Sequence, residues 1–221
     1  MITLFHCMSA RSFRPLWTLE ELGLPYVLKM LPFPPRGHAR DYLEINPLGT
    51  VPAFFDGAVA MTESAAICHY LATRDGPSAL SVQPGDPEYG NFLNGLHFGE
   101  ATLTFPQTIV LRYGRFEPPA RRLPQAEEDY RRWFLARLKG INPVLSQRSY
   151  LCGEHLTVAD ISVGYALMLA SYLELAGQFP APVQRYWERL QGGAGFRRAM
   201  DAQLQAALAQ GVSTTPAPLA A

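Results

Sequence analysis

The chain has 221 residues, 48% hydrophobic and 17% charged, a balance that supports a buried core and excludes a disordered polymer. Nineteen Lys and Arg offset nineteen Asp and Glu, and no basic cluster forms a stripe, so the charge pattern gives no attraction to nucleic acid or an anionic membrane. Three cysteines, Cys7, Cys68 and Cys152, have neither Cys-x-x-Cys nor zinc spacing, so no disulfide framework and no structural metal are expected, and a reducing cytoplasm suits them.

The opening MITLFHCMSARS lacks the basic and apolar regions of a signal peptide and reads as a strand over residues 2–6 followed by a small polar loop, 7–11. From Ser12 the apolar spacing turns helical through Leu16, Leu19 and Leu22, with Gly23 as the stop and Pro25 beyond. A second strand is expected over 26–31, then an irregular proline-rich connection and a short helix around 39–45. Two short strands, 53–55 and 58–61, flank Asp56-Gly57, a hairpin signal that favours positive φ. A helix then begins at Glu63-Ser64, giving an α/β layer arrangement over residues 1–76.

The segment 77–87 carries Gly, Pro and Ser at linker density. Beyond it, 88–210 reads as all helical, with helices over 89–111, 126–145, 158–175, 182–190 and 195–209, and a kink or stop at Pro106. The longest apolar run, around 161–170, is too short to span a bilayer and belongs to a core helix. Leu156-Thr-Val-Ala-Asp-Ile161 places Thr157 as N-cap with Asp160 reaching back from the third helical position. The tail 211–221 is small, polar and proline-containing, and a frayed segment is expected there.

Two places carry chemistry. Val51-Pro52 opens a strand where proline removes no ladder bond, and a cis bond there would turn the Val51 N–H and C=O outward, ready to pair with a peptide ligand as an added strand. Ser64, at a helix start, offers a hydroxyl and unpaired first-turn N–H groups to a carboxylate, and Glu63 could receive an ammonium group. Read alone, these two are equally an ordinary N-cap and a residue favourable to the helix dipole.

In combination, NPLGTVPAF, a hairpin and TESAAICHYLA resemble the glutathione-binding domain of cytosolic glutathione transferases, and the resemblance extends over almost the whole chain. It implies a thioredoxin-like N-terminal domain followed by an all-α helical bundle, with glutathione as co-substrate and no metal. It assigns the turn of Thr50, Val51 and Pro52 to the cysteinyl backbone of glutathione, and Glu63 with Ser64 to the γ-glutamyl headgroup. Counting back from Glu20-Glu21-Leu22-Gly23, Ser9 falls where serine-type members hold the thiol, so thiolate stabilisation is expected over disulfide exchange. Ser12 stands behind it as second candidate and also suits the N-cap of the first helix. Cys7, two positions away, reads as a buried, inert thiol.

The implied activity is conjugation of glutathione to small hydrophobic electrophiles by a cytoplasmic homodimer. Glutathione-dependent peroxide reduction or isomerisation, and a glutathione-binding scaffold without chemistry, are the rivals. Met8, Phe98, Phe105 and Tyr113 offer apolar surface for the electrophile, though at helical spacing such aromatics also suit a core. Glu100 could touch glutathione near the family's dimer cleft or be a surface glutamate.

Overall fold

In a computed structural model that describes residues 1–220, the chain forms two compact units: Met1–Gly76 together with Gly192–Ala220, and Pro77–Gln191. The first unit is organised by β1 (Ile2–His6), whose alternate residues Ile2, Leu4 and His6 are buried. It occupies an inner position in a four-stranded sheet of order β2-β1-β3-β4. Strand β2 (Tyr26–Met30) runs parallel to it, with Ile2 opposite Tyr26 and His6 opposite Met30. Strand β3 (Ala53–Asp56) runs antiparallel, with Phe5 opposite Ala53, and β4 (Val59–Met61) pairs with β3 across the Asp56-Gly57 turn. Gly57 has φ 59, the left-handed conformation that the hairpin requires and that a side chain resists.

Helix α1 (Phe13–Leu22) ends at Gly23 as expected. The proline-rich connection holds two single-turn helices in place of one, α2 (Pro35–His38) and α3 (Tyr42–Ile45), because the chain turns between them at Ala39–Asp41. Helix α4 (Ser64–Thr73) closes this part of the unit.

In the second unit, the first long helix is interrupted by wider turns instead of ending at Pro106. α5 (Tyr89–His97) passes through a π-helical stretch, Phe98–Thr104, into α6 (Phe105–Leu111) and a second π stretch, Arg112–Phe116. Pro106 lies in the first turn of α6, where its missing N–H disturbs least. Thr104 Oγ1 donates to the Gly99 carbonyl (2.7 Å) within the widened turn. The expected 126–145 helix is α7 (Pro124–Arg137), then a 3-10 turn at Leu138–Gly140, then α8 (Asn142–Leu145), which restarts with Pro143 in its first turn. Helices α9 (Val158–Tyr172) and α10 (Ala181–Gly192) follow.

The core of this unit is α9, buried on all sides from Val158 to Ala170. It lies so close to the first helix that a Cβ on Gly99 would meet the Ser162 backbone at 2.5 Å, and Ser162 Oγ donates to the Leu96 carbonyl (2.7 Å) across the contact. The Thr157–Asp160 capping box is present. Asp160 is fully buried. One carboxylate oxygen accepts from the Leu151 N–H (2.9 Å) and the Tyr186 hydroxyl (2.9 Å), the other from the Thr157 N–H (2.8 Å) and hydroxyl (2.9 Å). Burial pushes its pKa up, and these donors pull it back.

Helix α11 (Ala194–Ala209), read from sequence with the helical domain, packs instead on α1 and β2 of the sheet-bearing unit. Trp17 and Phe13 meet Phe196 edge-on at 5.0 and 5.5 Å between ring centroids. The segment expected to fray ends, over Ala217–Leu219, in a 3-10 turn with Ala217 and Pro218 buried.

Replacing Asp160 by Ala should lower unfolding free energy by about 3 kcal/mol or more, because four buried donors lose their acceptor. Replacing Thr157 by Ala should cost about 1 kcal/mol. Urea denaturation followed by circular dichroism checks the ranking, and equal effects would contradict the role of Asp160.

Candidate functional site

The turn before β3 is built by short-range hydrogen bonds. Asn46, at the end of α3, accepts the Leu48 N–H on Oδ1 (3.1 Å), while its Nδ2 and the Tyr42 hydroxyl both donate to the Thr50 carbonyl, at 2.8 and 2.7 Å. Thr50 is thereby fixed by its backbone while its side chain is exposed. The Val51-Pro52 bond is cis. The β1–β3 ladder begins at Ala53, and among the described residues the Val51 N–H and C=O make no hydrogen bond. The Val51 side chain packs inward, against Cys7, Ala10 and Ala217.

At the start of α4, Glu63 holds the N-cap position with extended backbone and is exposed, and Ser64 is the first helical residue, 3% exposed. Behind Ser64 lies a group that the sequence reading passed over. Arg14 is fully buried, and its Nη1 donates to Ser64 Oγ (3.2 Å). A guanidinium keeps its charge in such a place, so the hydroxyl sits between a cation and the positive end of a ten-residue helix. The signal was available: Arg14 shares a helical face with Trp17 and Thr18, and all three are buried.

The loop after β1 brings both candidate serines into one buried network. Ser9 and Ser12 have no exposed surface, and neither do His6 or Gln203. Ser12 stands at the cap position of α1, but its hydroxyl makes no capping bond and lies 2.7 Å from His6 Nδ1. The other ring nitrogen, Nε2, is 3.0 Å from Gln203 Oε1, and the Ser9 N–H donates to that same oxygen (2.9 Å). Ser9 has φ 54, an uncommon conformation for a residue with a side chain. Of the loop, Arg11 retains partial exposure.

Burial lowers the His6 pKa from 6.5 to about 4, against the raising effects of Gln203 and Ser12, so the ring is neutral. Gln203 also lay outside the sequence reading; its signal was a polar residue in the buried α11 stripe of Phe196, Ala199 and Ala207. Cys7 is buried, its thiol pushed up to about 12 by desolvation, with Sγ 3.6 Å from the Pro32 carbonyl. Ala217 covers it, and its N–H donates to the Met8 carbonyl (2.7 Å).

The residues read as electrophile surface belong to both units. Met8 is 7% exposed, packed on Met30 and Ala207, and offers little surface. Phe98 and Phe105 line a groove of about 570 Å³ within the second unit, with Trp133 and Arg137 on its other wall. Tyr113 lies under the Arg112 guanidinium at 5.7 Å. Glu100 is half-buried in the π-helical stretch. Among the described residues no group of three or more His, Cys, Asp or Glu gathers in a metal-binding arrangement, and no helix is long and apolar enough to cross a membrane.

Residues 8–74 match the family model of the glutathione S-transferase N-terminal domain. The chain is 32% identical over 158 residues to glutathione S-transferase hmp2 of Hypomyces subiculosus, covering 67% of this chain and 73% of that protein. It is 36% identical over 103 residues to glutathione S-transferase 3 of Schizosaccharomyces pombe, a match that spans 47% of this chain and 43% of that longer protein. In three dimensions it resembles the glutathione transferase URE2P6 of Phanerochaete chrysosporium, solved in complex with oxidized glutathione, with a TM-score of 0.79, 27% identity, and coverage of 93% of this chain and 97% of that one. With a thioredoxin-like sheet unit and a helical unit, the chain belongs to the glutathione S-transferase family.

The depressed His6 pKa sets a pH dependence. The folded ring resists a proton that the unfolded ring takes up, so this stabilisation is present above about pH 6.5 and is lost as pH falls toward 4. Over that window the fall in unfolding free energy should be about 3 kcal/mol smaller in His6→Gln than in the parent. Urea midpoints at several pH values check this, and parallel profiles would contradict a neutral buried ring.

Proposed function

We propose that this chain binds glutathione along the Val51 edge and the N-terminus of α4, and transfers it as the thiolate to small hydrophobic electrophiles. The observation that carries the reading is the Val51 backbone, whose N–H and C=O stand outside the β1–β3 ladder beside a turn fixed by Tyr42 and Asn46. A cysteinyl residue can pair with both groups as an added strand. The γ-glutamyl carboxylate then meets the first-turn N–H groups of α4 and the Ser64 hydroxyl, with the Arg14 charge behind it. Glu63 receives the α-ammonium group.

The thiolate is assigned to Ser9. Ser12 hydrogen-bonds His6, whereas Ser9 heads the turn into α1, where the helix N-terminus favours negative charge. Ser9 is fully covered in this structure, so a sulfur reaches it only when the covering side chains shift. Once the thiol proton has passed to solvent, the sulfur lone pair forms the C–S bond. The displaced electron pair leaves with a halide, or is quenched by a proton from water where the acceptor is an enone or epoxide. Lowering the thiol pKa and holding the reactants together supply the rate gain.

A cytoplasmic homodimer belongs to the same reading. Phe105 and Trp133 are 55% and 47% exposed beside the groove of the second unit, an apolar surface suited to a second copy. Sedimentation velocity should give a dimer, and Trp133→Glu should shift it toward monomer by at least about tenfold in dissociation constant; a monomeric parent would contradict it.

Turnover of a panel of aryl halides, epoxides and enones with glutathione tests the chemistry, and glutathione binding without turnover of any of them would point to a scaffold. Ser9→Ala should lower kcat/KM by about tenfold to a hundredfold, and Ser64→Ala should raise the KM for glutathione by about tenfold. Unchanged constants in either variant would remove that residue from the site.

A further inference from the structure

We infer that Gln203 is a positioning residue for thiolate formation: its side-chain amide fixes the shape of the Ser9 loop and decides which of the two serines enters the buried network as an acceptor. The inference rests on the assignment of the thiolate to Ser9.

The hydrogen positions follow from one donor that cannot change its role. The Ser9 backbone N–H can only donate, so the Gln203 atom 2.9 Å from it is the amide oxygen, which fixes the orientation of the whole amide. That oxygen is also 3.0 Å from His6 Nε2, which must therefore carry a ring proton. The buried ring is neutral, so Nδ1 is a bare acceptor and the Ser12 hydroxyl at 2.7 Å donates to it. At the other end of the amide, Gln203 Nε2 has Ser9 Oγ at 3.4 Å and Met200 Sδ at 3.3 Å.

Ser12 thus enters the network as a donor, with its proton directed at His6. Ser9 enters as an acceptor of the Gln203 amide N–H. A hydroxyl that accepts a hydrogen bond is polarised toward donating one, the role a thiolate requires. The same glutamine anchors the loop backbone. Ser9 holds its left-handed φ of 54 with its N–H tied to Gln203, and without that bond the loop can relax toward commoner conformations. Gln203 has no exposed surface, so it acts through Ser9 and not on a substrate.

The experiment is an ultraviolet difference titration of the enzyme–glutathione complex, which reads the pKa of the bound thiol, with steady-state kinetics on any electrophile the panel finds. Gln203→Met keeps the side chain's length and removes both amide functions. It should raise the thiol pKa by about one unit and lower kcat at neutral pH by about tenfold, with the KM for glutathione within about twofold. A generic packing defect would not move the thiol pKa while leaving glutathione affinity in place. Gln203→Asn, too short to reach Ser9 and His6 together, should move the pKa in the same direction and serves if the Met variant does not fold. If Ser9→Ala raises the thiol pKa and the Gln203 variants leave it at the parent value, the role of Gln203 is overturned while the Ser9 assignment stands. If Ser9→Ala itself leaves the thiol pKa unchanged, the assignment fails and the inference falls with it.

Discussion

A single amide oxygen, Gln203 Oε1, accepts hydrogen bonds from the backbone of Ser9 and from the ring of His6, and the architecture of the first unit depends on that junction. A buried backbone N–H and a buried imidazole N–H each need an acceptor, and the sheet itself supplies neither. The one acceptor that serves both becomes available only when α11, from the far end of the chain, packs on α1 and β2. Gln210, the residue that caps the end of α11, repeats the device on a smaller scale: it accepts the Met30 N–H (2.9 Å) and donates to the Leu28 carbonyl (2.9 Å) along β2. The last segment of the chain thus completes hydrogen bonding that a strand–helix–strand arrangement leaves open.

The same economy of polar groups governs the second unit. One carboxylate, Asp160, satisfies a helix N-terminus, a loop amide and a tyrosine hydroxyl at once, and the apolar helix that follows it can then be buried on all sides. Taking such a carboxylate out of water is unfavourable, and four donors offset that penalty. In the first unit a cation lies at a helix start instead: Arg14, buried beneath Ser64, donates to the Ser64 hydroxyl, and its charge adds to the positive end of α4. Each unit thus has a buried charged side chain at a helix N-terminus, and in the sheet unit that terminus is also the proposed anion site.

Much of this was legible in the residues. The strand periodicity of 2–6, the Gly23 stop, the Asp56-Gly57 hairpin and the Thr157–Asp160 box are local features, set by sterics and by hydrogen bonds within a few residues, and each appears where the sequence puts it. Elements that depend on distant contacts were less legible. Lys139 and Gly140 look helical in their own window, yet the helix breaks there, where a Cβ on Gly140 would come within 3.1 Å of the Phe98 ring. The tail reads as polar and small, but Ala217 gains an acceptor at Met8 and a cover role over Cys7 that no local pattern encodes.

By itself the sequence determined the order of strands and helices, the turn at Val51-Pro52 and the Glu63-Ser64 helix start, because neighbouring residues settle these. The tertiary structure alone decided the roles of the serines. Ser12 looks like an N-cap until folding places His6 beside it, and Ser9 looks like any loop serine until Gln203, 194 residues away, arrives at its amide. Which hydroxyl donates and which accepts is fixed by partners that only folding brings within hydrogen-bonding distance.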